Sequence, residues 1–248
     1  MPAEGGLLSI WRYPVSSFAG EHLRAVRVDA RGLVGDRLWG AVDRATGEIA
    51  RPGKQPRWDA TPAIAARLGE AGVEIRLADA DPPGGWLAVG GAAAEAALTR
   101  HFGFAVALRR HPAPERDDPQ TVAPRYDVRP VHVLSLQSLD ALKALLPDCP
   151  IDERRFRPNL VVDLAGAPGP FPETRWAPGT EFRVGDVRLR VVEPCRRCVF
   201  VTLRHGDLPR DAAVLRAIAE HNEGDLGAIC AVVEPGVLRE GDPVRVVG

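Results

Sequence analysis

Lysine is almost missing from this chain of 248 residues: among 32 basic residues, only Lys54 and Lys143 are lysines. Recognition of anions therefore falls to arginine, whose planar fork suits phosphate and carboxylate. Cysteine is sparse too. The four at Cys149, Cys195, Cys198 and Cys230 are too scattered for a disulfide scaffold, so a reducing cytoplasm is the expected compartment. No run of 18 apolar residues occurs, which excludes a membrane-spanning helix. The stretch from Met1 to Trp11 has neither a basic region nor a long apolar core, and no signal peptide is read there. A formal net charge of -1 provides no global field for nucleic acid or an anionic membrane. There is no dinucleotide fingerprint and no iron–sulfur cysteine cluster, so any electrons must come from outside the chain.

What is present centres on Glu193 to Thr202. Val187, Leu189 and Val191 alternate with Arg188 and Arg190, the period of a half-buried strand. Pro194 lacks an N–H and should end regular pairing, and Val199 to Leu203 reads as a second strand. Cys195, Arg196, Arg197 and Cys198 are thus expected on a tight excursion between strands, where neighbouring arginines favour the thiolate. Plainer readings compete. A structural zinc site wants four ligands at matching spacing, and only His205 lies nearby. A thioredoxin-type pair wants a helix N-terminus, which Val-Phe-Val-Thr-Leu does not offer. Two buried cysteines packing as small apolar groups remain open on spacing alone.

Along the chain, strands are predicted at Leu7–Tyr13, Leu23–Val28, Val73–Leu77, Val131–Leu134, Leu160–Asp163, Thr180–Val191, Ile229–Val233 and Val244–Val247. Gly32–Trp39 reads as a glycine-bounded loop, and Asp43–Glu48 as a hairpin turn with Gly47 at positive φ. Helices are expected at Ile64–Gly69, at Ala92–Phe102 stopped by Gly103, after Ser135 as N-cap, and at Asp211–His221. Asp79–Gly85 and Ala165–Pro178 read as loops, and His111–Pro124, rich in proline and charge, is the best candidate boundary, or alternatively a lid over a site. The sum is α+β, β-rich with a few short helices.

Ser135 at a helix start, with Gln137 and Ser138 in the first turn, makes a ready anion site. Arg157 precedes a proline, Asn159 offers an amide, and Arg37 sits among glycines with Asp36 placed to orient it or to cap the loop, the first being favoured. His132 reads as a satisfied core histidine, and His205 and His221 as solvated; Trp11, Trp39 and Trp58 read as core.

Pro130–Leu139, Arg154–Asp163 and Pro194–Cys198, preceded by Tyr13-Pro14-Val15-Ser16-Ser17 and Gly32–Arg37, resemble in order and spacing the signatures of the MOSC domain family. The resemblance implies a β-barrel-like core with an associated N-terminal mixed α/β region, divided as residues 1–115 and 116–248. It implies binding of molybdenum cofactor, with Cys198 as metal ligand and catalytic residue. Ser17, Arg37, Ser135, Gln137, Ser138, Arg157, Asn159 and Arg197 are then the implied cofactor contacts. A soft thiolate suits a high-valent, sulfur-ligated metal. The implied activity is reduction of N-hydroxylated compounds or N-oxides by oxygen-atom transfer, with a small-molecule N-oxygenated substrate and a separate ferredoxin- or flavoprotein-type electron donor. A sulfur carrier with a persulfide on Cys198 is the alternative. The chain departs from the family pattern at Ser16, where lysine is usual, at Val201-Thr202, and at Arg204–Arg210.

Overall fold

The computed structural model describes residues 5–78, 85–112, 121–123 and 131–247. The predicted loop at Asp79–Gly85 and boundary at His111–Pro124 lie largely outside them. The strands are β1 (Gly5–Arg12), β2 (Glu21–Leu23), β3 (Ala25–Asp29), β4 (Gly32–Leu33), β5 (Trp39–Asp43), β6 (Ala65–Gly69), β7 (Gly72–Arg76), β8 (Leu87–Ala88), β9 (Val106–Arg110), β10 (Val131–Ser135), β11 (Leu160–Asp163), β12 (Glu181–Val184), β13 (Val187–Arg196), β14 (Asp225–Glu234), β15 (Gly236–Arg239) and β16 (Pro243–Val247). Three α-helices, α1 (Ala92–Phe102), α2 (Leu136–Leu145) and α3 (Ala213–Asn222), accompany them.

The largest sheet runs β11-β10-β14-β13-β12-β16-β1-β2, and a further pairing of β1 with β11 closes seven of its strands into a barrel. Closure leaves no free edge along the ring. Leu7, Ile10, Val133, Leu160, Phe182, Leu189 and Val191 fill the interior. Val26, Val28 and Leu33, from β3 and β4, belong to the same cluster. Residues from the first part of the chain share this core, because β1 is a barrel stave and β3 pairs with β15. A second cluster, built on Trp58, Ile64, Ile75, Leu98 and Val106, underlies β5–β9 and α1. A third packs α2 and α3 on the outer barrel face through Leu139, Leu142, Val214 and Ile218.

Helix ends follow local chemistry. Ser135 accepts the Ser138 N–H at 3.1 Å as N-cap of α2, and Gly103 ends α1 at φ 74°. Three expectations fail for tertiary reasons. Ile64–Gly69 is not helical but forms the hairpin β6–β7, which places Ala66 against Ile75 in the second cluster. Pairing does not stop at Pro194: β13 continues to Arg196 through irregularities on either side, so the missing N–H falls at a bulge. Val199–Leu203 finds no partner strand among the described residues, and Val199–Thr202 coils into a 3-10 turn that buries Phe200, Val201 and Thr202.

Candidate functional site

The Cys198 loop leaves the bulged end of β13 and enters the 3-10 turn, with Cys198 as its extended N-cap. The Cys198 side chain is exposed, whereas Cys195 is half-buried. Arg197 ties this loop to the barrel: Nη2 donates to the Phe156 carbonyl at 2.6 Å and Nη1 to Cys195 Sγ at 2.8 Å. Arg197 Nε is buried without a partner. Cys230, on β14, lies entirely inside the barrel, and burial pushes its thiol well above the ordinary range. Of the four sulfurs, Cys198 is the one presented at the surface.

Beside the loop lies a compact polar network. Asp36 accepts the Tyr13 N–H at 2.7 Å and pairs with the Arg37 guanidinium, as expected. Arg37 also donates to Asn159 Oδ1 at 3.2 Å, and Asn159 Nδ2 donates to Asp36 Oδ2 at 3.2 Å. Arg157 stands 4.0 Å over the Tyr13 ring and 5.7 Å from the Phe200 ring, while its guanidinium donates to the Phe18 carbonyl. Arg37 covers Tyr13 from 5.7 Å. Ser17, Arg37 and Arg157 have φ of 69°, 48° and 55°, left-handed values that side chains with a Cβ adopt at a cost. Such strain gathers at functional sites when surrounding structure imposes it.

Ser135, Gln137 and Ser138 bond within the protein. The anion at the start of α2 is the protein's own Glu173, fully buried. Its carboxylate accepts Ser135 Oγ at 2.5 Å and Ser138 Oγ at 2.7 Å. The helix N-terminus and two hydroxyls compensate the buried charge. Gln137 donates to Asp163 Oδ1 at 2.7 Å and accepts the Leu164 N–H at 3.1 Å, fastening the end of β11. Ser16 donates to His111 Nε2 at 2.9 Å. The ring's Nδ1 faces the Val122 carbonyl.

Two side chains that sequence reasoning passed over sit in this network. Tyr13 is buried, and its hydroxyl has no hydrogen-bond partner among the described residues. Burial pushes its phenol further up, so it stays protonated. His205, expected in solvent, is buried against Phe200 with ring centroids 5.1 Å apart. Burial, with Arg157, Arg155 and Arg197 nearby, pushes it down to about 4. His132 is buried as expected, but only Nδ1 is partnered, at 3.2 Å from the Arg157 carbonyl, and burial and Arg197 press it to about 3. The available signal for His205 was its place in Arg204–Arg210, where the chain leaves the family pattern. Trp58 is core, while Trp11 reaches a pocket wall and donates its N–H to Glu153 at 2.5 Å.

Residues 101–245 match the MOSC domain, and residues 4–112 match the MOSC N-terminal beta barrel domain. The chain belongs to the MOSC domain family. Mouse mitochondrial amidoxime-reducing component 1 is 30% identical over 135 residues, 49% of this MOSC chain and 38% of that protein. The chain thus spans well under half the length of that curated relative. The YUAD protein from Bacillus subtilis superposes with TM-score 0.53 at 14% identity, over 99% of this chain and 97% of that one, a likeness of fold. YiiM from Geobacillus stearothermophilus gives TM-score 0.36 at 20% identity, over 48% and 54% of the two chains.

Proposed function

We propose that this MOSC-family chain binds molybdenum cofactor through Cys198 and reduces N-hydroxylated compounds or N-oxides. The observation that carries the reading is an exposed thiol on a loop that Arg197 ties to the Phe156 carbonyl, next in the chain to Arg157, which holds a left-handed backbone. The match to a mitochondrial amidoxime-reducing component supports the substrate class.

The residues present fit the group. Among the described residues, no three His, Cys, Asp or Glu side chains are placed to hold a metal ion together. A metal at Cys198 would bring its remaining ligands on an organic carrier, as a pterin dithiolene does. Arg37 and Arg157 offer guanidinium donors to an anionic carrier, Asn159 an amide, Ser17 a hydroxyl, and the buried Arg197 Nε lacks a partner. The bound cofactor supplies two-electron redox chemistry and the site for oxygen-atom transfer. The protein holds Cys198 on a loop braced by Arg197. Asp36 and Asn159 keep Arg37 oriented, so less side-chain entropy is lost on binding an anion. The electrons come from a separate donor protein.

Elemental analysis of wild type and Cys198→Ala, both made in cells with the cofactor pathway intact, tests this. Wild type should carry stoichiometric molybdenum and reduce benzamidoxime with a supplied electron donor. Cys198→Ala should lose both. Metal-free wild type with sulfane sulfur on the Cys198 peptide would replace this reading by the sulfur carrier, for which a second thiol three residues away could resolve the persulfide.

A further inference from the structure

Ser16 stands where the chain leaves the family pattern, and its neighbour is a histidine from far along the sequence. It takes the first corner of the turn Val15–Phe18, closed by the Phe18 N–H donating to the Val15 carbonyl at 3.3 Å. The Ser16 N–H donates to the Trp39 carbonyl at 2.7 Å, which leaves the hydroxyl for other use. That hydroxyl lies 2.9 Å from Nε2 of His111, just past β9. The other ring nitrogen, Nδ1, is 2.9 Å from the Val122 carbonyl. A carbonyl only accepts, so Nδ1 carries the proton and Nε2 presents its lone pair to the Ser16 O–H.

The imidazole is held from several sides. Val122 packs against the cluster of Val42, Ile49 and Ala107, and its N–H donates to the Arg110 carbonyl at 2.9 Å, so the carbonyl that orients Nδ1 is itself fixed. The His111 N–H donates to the Leu38 carbonyl at 2.9 Å. Gly40 leaves the ring its space, since a Cβ there would stand 3.0 Å from His111 Cε1. Burial pushes the imidazole below its ordinary value, so at neutral pH it is an uncharged base. Ser16 and His111 are both half-buried, which keeps the pair within reach of a small molecule from solvent. One donor is unspent: the N–H of Ser17, at the second corner with φ 69°, has no partner among the described residues. The amide after a nucleophilic serine is one that acyl-transfer sites use to stabilise the developing oxyanion.

We infer that Ser16 and His111 form an acyl-transfer centre that hydrolyses small carboxylic esters, with Ser16 as nucleophile, His111 as general base and the Ser17 N–H as oxyanion donor. Ser16 Oγ bonds to the acyl carbon as its proton passes to Nε2. The ester C–O bond then breaks, and the alcohol leaves with that proton. Water next gives a proton to Nε2, its oxygen takes the acyl group away as the acid, and the proton returns to Ser16. No electrons are exchanged, and this chemistry is independent of the reductase reading. The Val122 carbonyl orients the ring as a carboxylate does in a full triad but brings only partial charge, so the imidazolium is less stabilised and turnover is slower.

The test treats the purified full-length chain with a fluorophosphonate and, separately, with p-nitrophenyl acetate, in wild type, Ser16→Ala, His111→Gln and Cys198→Ala. An activated serine displaces fluoride from the reagent, and mass analysis of the digested chain locates the adduct. Ser16 should carry it. Ser16→Ala should lose the adduct and the ester hydrolysis together, and His111→Gln should be labelled about 100-fold more slowly, as expected on losing a general base. Ser16→Ala deletes one hydroxyl from a half-buried turn and keeps its backbone bonds, and a melting curve checks its fold. Cys198→Ala should keep both the adduct and the hydrolysis while losing molybdenum, which separates this centre from the reductase site. An unlabelled Ser16, hydrolysis unchanged in Ser16→Ala, or equal labelling rates in wild type and His111→Gln would overturn the inference. Hydrolysis abolished in Cys198→Ala would overturn it as well, by assigning the acyl transfer to the exposed thiol.

Discussion

At the scale of single residues, the site is recognisable by what each side chain gives up. Ser17 holds a left-handed φ of 69° while buried, a conformation glycine would adopt without strain. Ser17→Gly should raise thermal stability by about 1 kcal/mol, whereas Ser17→Ala keeps the strain and should not. Both should lower cofactor content, which parallel melting curves and metal analysis would show. Glu173 is a case where the residue types were legible and their use was not. Ser135 and Ser138 announced an anion site, and the anion came from 35 residues further along the chain. Glu173→Leu would strand two buried hydroxyls and should cost about 3 kcal/mol, while Glu173→Gln, keeping an acceptor, should cost less. Denaturant midpoints of the two variants would separate a structural role for these serines from contact with cofactor.

At the scale of elements, the three helices were legible and the segment after Cys198 was not. Ser135, Gly103 and the apolar stripes of α2 and α3 act locally, and local chemistry can be read from neighbouring residues. Val199–Leu203 shows the limit. Its β-branched residues fit a pleated surface only if a partner strand exists, and none does among the described residues. The turn instead satisfies itself: Thr202 Oγ1 donates to the Val199 carbonyl at 2.8 Å, and His205 holds Phe200. Gly53, at φ 82°, packs against this turn so closely that a Cβ would come within 3.3 Å of Phe200 N and of Val199 Cβ. Gly53→Ala should therefore cost about 1–2 kcal/mol and shift the Cys198 turn. The expected result is a fall in molybdenum content larger than the loss of stability explains, measured by elemental analysis beside a chemical melt.

At the scale of the whole molecule, pH should act through buried imidazoles. His132 and His205 are pressed to about 3 and about 4, below the ordinary value near 6.5 of an unfolded chain. Both are bases held neutral, so below 6.5 the unfolded chain binds protons that the folded chain refuses. Stability is complete above that pH and falls as pH drops toward 4, by about 2 kcal/mol per histidine at pH 5. Urea midpoints between pH 7.5 and 5 would show the slope, and His205→Gln should flatten part of it. The fold sets the scale of this cost, because Val131 and Val133 face the barrel interior and His132, between them on β10, is buried on the outer side of the ring. Its Nε2 faces Gly227 so closely that a Cβ there would stand 2.2 Å away. Gly227 at φ 88° is thus required by both backbone and space.

The caps of the helices and the β-rich α+β class were determined by sequence alone, since each depends on residues a few positions apart; attention to Cys198 came with the resemblance to the MOSC family. Only the tertiary structure decided that β1 closes the barrel, that Glu173 occupies the helix N-terminus, and that Ser16 meets His111. Those facts join residues more than 100 positions apart in β1 and β11, and 95 apart at Ser16 and His111, through pairing and burial that local pattern does not carry.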